Sequence, residues 1–382
     1  MIMHSLTSGI ACFLMTACLC AGFPVALCAD EAAKELQIEV FPALPQTEGF
    51  AGAFTGMSDG HLLVMGGANF PNGKPWEGGT KVWYRSIYAA RLEDLKATTL
   101  PGDKPSVAES RTSESSPWKI IGQLPGERGY GLAVTHRDRI ICIGGSNSTS
   151  HLSDVIAVSL RNQQLHVETL PSLPITLANF SGALDRDIIY VAGGQETASS
   201  VTASEHIWML DLSEPQPKWT ELPACPGPAR ILATSAAGQG SFWLMGGASL
   251  REGSDGKPVR TYLRDVWKYS CTTGWEQMPD LPTPLVGCPS PALMMNGDPV
   301  IFGGDDGTQV GQDPQKHRGF RRAILRYVPG SDSDDASWSE IGQLPFGSVT
   351  TNAVPESSSI WIPTGEIRPG IRTPNILKVS VP

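Results

Sequence analysis

Few residues of this chain carry charge: Asp, Glu, Lys and Arg make up only 18% of its 382 residues. That scarcity argues against long solvated helices and charged tails. The charges sum to −9, which argues against nucleic acid or an anionic membrane as the main partner, though not against an anionic small molecule. Cysteine is sparse too, with eight in all, and Cys12, Cys18, Cys20 and Cys28 fall within residues 1–29. The other four, Cys142, Cys225, Cys271 and Cys288, show no Cys-x-x-Cys or Cys/His spacing, so nothing suggests zinc. Cys142 lies inside the apolar run Ile140-Ile-Cys-Ile143 and reads as a core residue, while one disulfide among the remaining three is left open.

Residues 1–29 hold no Asp, Glu, Lys or Arg at all, and their apolar run is short for a bilayer span. They read as a signal peptide, cleaved near Ala21 or near Cys28/Ala29, with a lipid anchor at Cys18 as the alternative. That expectation places residues 30–382 in the periplasm or outside the cell. No later segment is long and apolar enough to span a membrane. What the chain has in quantity is turn chemistry, 41 Gly and 31 Pro, which favours many short strands.

A self-similar unit recurs along the chain. An apolar strand ending in two glycines appears as Leu62-Leu-Val-Met-Gly-Gly67, Ile140-Ile-Cys-Ile-Gly-Gly145, Ile189-Tyr-Val-Ala-Gly-Gly194, Phe242-Trp-Leu-Met-Gly-Gly247 and Val300-Ile-Phe-Gly-Gly304, with a degenerate copy at Ile360-Trp-Ile-Pro-Thr-Gly365. The last glycines, at 67, 145, 194, 247, 304 and 365, are separated by 78, 49, 53, 57 and 61 residues, and a polar insert near 95–116 explains the long first interval. A small-residue strand precedes each diglycine strand, an apolar strand follows it, and a strand carrying a Trp and ending in Leu-Pro completes the unit. Trp118, Trp219, Trp275 and Trp338 are the tryptophans of that pattern and read as structural. Four strands per unit and six units predict an all-β fold, a six-bladed β-propeller of the Kelch type. The sixth unit lacks its Leu-Pro strand, and Leu36-Gln-Ile-Glu-Val-Phe-Pro-Ala-Leu-Pro45 has that pattern, so the N-terminal strand is expected to close the last blade.

Antiparallel neighbours put the segments just after each diglycine, and those leading into each innermost strand, around one mouth of the axis. The residues placed there are Asn69, Phe70, Trp76, Glu77, Lys81, Arg128, Tyr130, Gln195, Glu196, Arg230, Arg251, Asp305, Asp306, Glu366, Arg368 and Arg372. Arg128 and Arg230 are equally readable as inter-blade links, and Asp305-Asp306-Gly307 as a turn. Glu366 and Arg372 flank Pro369-Gly370, a rigid turn in the one unit with a degenerate diglycine, and are expected to face an axial cavity.

The segment Gly365-Glu-Ile-Arg-Pro-Gly-Ile-Arg-Thr373 resembles the Gly-Glu-x-Lys-Pro-Gly-Leu-Arg-Thr segment of bacterial N-acetylneuraminate epimerases, the sialic acid mutarotases. Gly126-Glu-Arg-Gly-Tyr-Gly131, Glu77-Gly-Gly-Thr-Lys81, Gly227-Pro-Ala-Arg-Ile-Leu-Ala-Thr-Ser235 and Arg264-Asp-Val-Trp-Lys-Tyr269 are similar to further family segments, in an order that points to a cyclically permuted branch. The resemblance implies interconversion of α and β sialic acid, with Glu366 as general base and Arg372 clamping the substrate carboxylate. Arg128, Lys81, Glu77, Asn69, Arg230 and Tyr130 would complete substrate binding. It implies a small sugar acid as partner and no metal or organic cofactor, and a homodimer is left open. The departures are Arg368 in place of Lys, and Asp305-Asp306 where the family has uncharged residues. The rival readings are a non-catalytic Kelch binding module and a mutarotase for another sugar acid. A copper oxidase of galactose-oxidase type would need a Tyr/His/Cys set that the mouth does not offer.

Overall fold

The computed structural model describes residues 36–97, 116–330 and 335–382. The segment read as a signal peptide, Cys18, and most of the polar insert lie outside the described residues. The described residues form an all-β protein with no α-helix, only short 3-10 turns such as Pro75–Glu77 and Pro314–Lys316.

Six four-stranded antiparallel sheets account for most of the strands. The first contains Phe54–Ser58, His61–Met65, Ser86–Arg91 and Lys119–Gln123. The second to fifth repeat the arrangement with diglycine strands Arg139–Ser146, Ile188–Ala192, Ser241–Met245 and Asp298–Phe302. The sixth pairs Val354–Glu356, Ser359–Pro363 and Ile376–Ser380 with the N-terminal strand Gln37–Phe41, Gln37 standing opposite Ser380 and Phe41 opposite Ile376. The N-terminal strand, which carries the Leu-Pro pattern, is thus the edge neighbour of Ile376–Ser380.

Side chains alternate along each diglycine strand, and both faces are buried, which is why these strands read as unbroken apolar runs. Leu62 and Val64 pack toward Trp361 and Ile376 of the sixth sheet, while Leu63 and Met65 pack toward Ile140 and Cys142 of the second. The same division continues around the fold: six apolar clusters each join two consecutive sheets, and the sixth sheet is joined to the first. Leu62, Leu63 and Val64 have no exposed surface, so each contributes about 1.5–3 kcal/mol of transfer free energy. The repeat tryptophans bind adjacent sheets together. The indole Nε1 of Trp118 donates to Pro42 O at 2.8 Å, Trp219 to Pro171 O at 2.8 Å, Trp275 to Pro223 O at 2.7 Å and Trp338 to Pro279 O at 3.0 Å.

The diglycines have a steric cause. Gly66 (φ 63°) and Gly67 (φ 85°) are both left-handed, and a Cβ on Gly66 would collide with the carbonyl of Arg128. In the sixth unit Thr364 takes the first of these positions at φ 57°. Its hydroxyl accepts from Phe50 N at 2.8 Å and donates to Phe50 O, which compensates for the missing glycine.

One left-handed residue leads into the first strand of each sheet: Gly52, Tyr130, Asn179, Leu232, Gly287 and Thr350. Their backbones form a chain of hydrogen bonds. Tyr130 N donates to Gly52 O, Asn179 N to Tyr130 O, Leu232 N to Asn179 O, Gly287 N to Leu232 O, Thr350 N to Gly287 O, and Gly52 N back to Thr350 O, at 2.6–2.9 Å. Cys142, Cys225, Cys271 and Cys288 are all free thiols, so no disulfide joins the three cysteines left open above.

Candidate functional site

The degenerate sixth unit builds the site. After Gly365 the chain forms a small hairpin, Glu366–Arg368 with Ile371–Arg372, in which Glu366 stands directly opposite Arg372. The tight return uses Gly370 at φ 78°, where a Cβ would lie 2.8 Å from the Trp76 ring. Glu366 also bridges to Val349, the residue before Thr350, which holds the hairpin beside the chain of left-handed residues.

Arg372 Nη2 donates to Glu366 Oε2 at 2.8 Å, with side chains 4% and 18% exposed. Gly370 N donates to the other carboxylate oxygen at 3.1 Å. The guanidinium carbon of Arg372 lies 4.6 Å from the centre of the Phe70 ring. Stacking leaves the in-plane N–H groups uncovered, and Arg372 Nε and Nη1 have no partner among the described residues. Burying a guanidinium with two nitrogens unspent is costly unless an acceptor satisfies them. Burial pushes the Glu366 carboxyl up from its ordinary value, against the opposing pull of Arg372, the Gly370 N–H and the Lys81 ammonium.

Lys81 stands over two aromatic rings, 4.8 Å from the Tyr130 centroid and 5.3 Å from that of Trp83. Trp83 and Tyr130 meet edge to face at 5.5 Å. The structure thus gathers Glu366, Arg372, Lys81 and Tyr130, with Phe70, Trp76 and Trp83 as aromatic walls. Sequence reasoning had named all of these except Trp83, whose signal is its position two residues beyond Lys81.

The other expected site residues are engaged to different degrees. Arg230 is 2% exposed and spends four of its five N–H donors inside the fold, on Pro228 O, Gly246 O and both oxygens of Asp265. Arg128, 3% exposed, is ion-paired to Asp154 in the equivalent arrangement one sheet-pair earlier, though its Nε and Nη1 lack partners among the described residues. Asn69 is fully buried, donating to Gly49 O at 2.8 Å and accepting from Tyr84 Oη at 2.9 Å. Glu77 is exposed and accepts from Lys74 N at 2.8 Å, closing the 3-10 turn that carries Trp76. Arg251 is exposed on the hairpin Ala248–Glu252 with Pro258–Tyr262. Gln195 accepts from Asn179 and donates to Ser200 O, and Glu196 is exposed. Asp306 caps its own turn through Thr308, whereas Asp305 accepts from Tyr262 Oη at 2.7 Å.

Glu366 and Arg372 were expected to face an axial cavity. The hollow beneath the six left-handed residues is lined by Tyr130, Asn179, Leu232 and Thr350 among others, but by neither Glu366 nor Arg372. The two side chains face each other in an ion pair. That hollow, about 50 Å³, is far below the 300 Å³ or more that small-molecule sites occupy. A second hollow of about 190 Å³, further along the innermost strands, is lined by Thr55, Val134, Leu184, Leu293, Pro355 and similar residues with no charge among them.

A family model described as N-acetylneuraminate epimerase matches residues 31–167 and 170–381. The N-acetylneuraminate epimerase of Escherichia coli O9:H4 is 25% identical over 248 residues, which cover 59% of this chain and 64% of that protein. The Shigella sonnei protein of the same name is 24% identical over 247 residues, with the same coverage. The matches thus span just under two thirds of these relatives' length. A solved structure described as "Structure of YjhT" shares the fold, with a TM-score of 0.57, 13% identity, and coverage of 76% of this chain and 84% of that one. Matched along nearly all of its described length, the chain belongs to the N-acetylneuraminate epimerase family.

Proposed function

We propose that the six sheets are the blades of a closed propeller and that the protein is a mutarotase interconverting the anomers of N-acetylneuraminate at the diglycine mouth. Support for the ring comes from the six backbone hydrogen bonds that return to Gly52 and from the apolar cluster joining the sixth sheet to the first. The permuted order accords with relatives aligned over only part of their length, since a closed ring tolerates a shifted starting point.

One observation carries the functional reading: a half-buried carboxylate of raised pKa lies 2.8 Å from a buried guanidinium with two unspent nitrogens. The substrate has the same two features to offer, a carboxylate and, on the adjoining carbon, an anomeric hydroxyl. Arg372 holds the carboxylate through Nε or Nη1, which sets the hydroxyl beside Glu366. Glu366 takes the hydroxyl proton as the electron pair left on oxygen forms a carbonyl and the ring C–O bond breaks. The ring oxygen takes a proton, from water or from the Lys81 ammonium, to give the open-chain ketone. Rotation and reclosure on the other carbonyl face run the same transfers in reverse. A raised pKa makes Glu366 a stronger base than a surface glutamate once it is ionised.

The test is proton NMR of sialic acid released freshly as the α anomer. Decay to the equilibrium mixture faster than in buffer alone supports the reading, and an unchanged rate removes it. We further propose export to the periplasm or medium, on the short apolar run within positions 1–29; N-terminal sequencing of protein from a periplasmic extract checks this.

A further inference from the structure

The residue just after the diglycine bridges to the residue before the left-handed position in every sheet: Ala51 with Ala68, Gly129 with Ser146, Ala178 with Gln195, Ile231 with Ala248, Val286 with Asp305, and Val349 with Glu366. These six positions are equivalent by the repeat. Only the last two carry carboxylates, and they belong to consecutive sheets. Asp305 is therefore the counterpart of Glu366, one step around the mouth.

The two carboxylates are differently equipped. Glu366 has a guanidinium partner, while Asp305 has none among the described residues. Asp305 Oδ2 accepts from Tyr262 Oη at 2.7 Å and Oδ1 from Gly307 N at 3.0 Å, which leaves each oxygen with a further acceptor site. Tyr262 comes from the hairpin inserted in the fourth sheet and packs against Gly307, so the phenol fixes the carboxylate from the neighbouring unit. Burial and the Asp305 carboxylate both push the Tyr262 phenol up, so it stays a neutral donor at any physiological pH. His317, 5% exposed in the loop that follows, feels both Asp305 and Arg368 of the Glu366 hairpin, which ties the two halves of the mouth into one electrostatic neighbourhood.

We infer that Asp305, positioned by Tyr262, determines specificity by binding the hydroxylated tail of the sugar acid; the inference rests on the mutarotase reading of the same mouth. An acceptor-only carboxylate repels the substrate's carboxylate and takes hydroxyl protons, whereas Arg372 does the reverse. The two groups give the ligand a single polarity across the mouth, acid end on Arg372 and polyol end on Asp305. That polarity selects sugar acids with a hydroxylated tail.

The experiment compares two sugars, N-acetylneuraminate and its analogue with the glycerol tail cut back to one hydroxymethyl group by periodate and borohydride treatment of a glycoside, followed by hydrolysis of the glycosidic bond. Anomer exchange is followed by NMR with wild type, Asp305→Asn, Asp305→Ala and Tyr262→Phe, and thermal melting checks that each variant is folded. Wild type is expected to favour the full-length sugar in kcat/KM. Asp305→Ala is expected to raise KM for that sugar about tenfold or more, the loss of a hydrogen bond to a charged group, with kcat nearly constant. Its KM for the shortened sugar stays the same, so discrimination disappears. Asp305→Asn, which keeps the Gly307 turn bond, and Tyr262→Phe move KM in the same direction by less. Unchanged discrimination in folded Asp305→Asn or Asp305→Ala overturns the inference. If wild type binds the sugars without exchanging their anomers, the mutarotase reading fails alone, and dissociation constants for the two sugars test Asp305 by the same comparison. If wild type binds neither, both fall.

Discussion

Replacing Glu366 with glutamine removes the proposed base while keeping its shape. A positioned general base supplies about 10²–10⁴ in rate, or about 3–5 kcal/mol of barrier. Loss of the base is not the only consequence, because Arg372 is only 4% exposed and loses its ionic partner. Removing one member of a buried pair outright costs about 3–5 kcal/mol, but the glutamine oxygen still accepts from Arg372 or Gly370, so a loss of about 1–3 kcal/mol in stability is expected. One gain offsets part of it. The Glu366 pKa is raised in the folded protein, so its contribution to stability is present below the ordinary value of 4.5 and is lost as pH rises through the folded value. Glutamine carries no such dependence. The base works only when ionised, so wild-type activity should fall as pH drops through a value above 4.5, and Glu366→Gln should lose that acid limb along with the rate. The assay is the NMR anomer-exchange rate across roughly pH 4–8, bracketing the ionisation of a carboxyl with a raised pKa, beside thermal melts at the same pH values. A folded Glu366→Gln protein with wild-type rate, or an unaltered acid limb, refutes the assignment.

Lys81→Met removes a cation that holds the Glu366 carboxyl down, so the acid limb should move to higher pH, and a limb that stays in place would contradict the electrostatic link. Arg372→Lys keeps the charge but not the planar set of donors, and KM for the sugar acid should rise about 10- to 100-fold with a smaller change in kcat, measured by progress curves. Trp219→Phe loses the bond to Pro171 O between consecutive sheets and should cost about 1 kcal/mol, seen in denaturant unfolding with no effect on KM.

Most of the fold was legible because its signals are local. Diglycines answer to left-handed backbone within two residues, apolar runs to burial on both faces, and the Leu-Pro strand at residues 36–45 to a missing strand in the sixth unit. Glu366 and Arg372 were legible because one short hairpin brings them together. What was not legible depends on partners distant in the chain. Sequence left Arg230 open between a site residue and an inter-blade link, and Asp265, 35 residues further on, takes two of its donors, whereas Asp154, 26 residues on, pairs with only one nitrogen of Arg128. Asn69 looks like a mouth residue until Tyr84 and Gly49 take both ends of its amide. Asp305 reads as a plain turn aspartate because Tyr262 lies 43 residues away. Left-handed Tyr130, Asn179, Leu232 and Thr350 carry no glycine to announce them.

The central claim is geometric, and a crystal structure of the protein with N-acetylneuraminate tests it most directly. The account predicts the sugar carboxylate within hydrogen-bonding distance of Arg372 Nε or Nη1 and the anomeric hydroxyl on the Glu366 carboxylate. A sugar seated in the uncharged hollow along the innermost strands, or held at the mouth with its carboxylate away from Arg372, would contradict it.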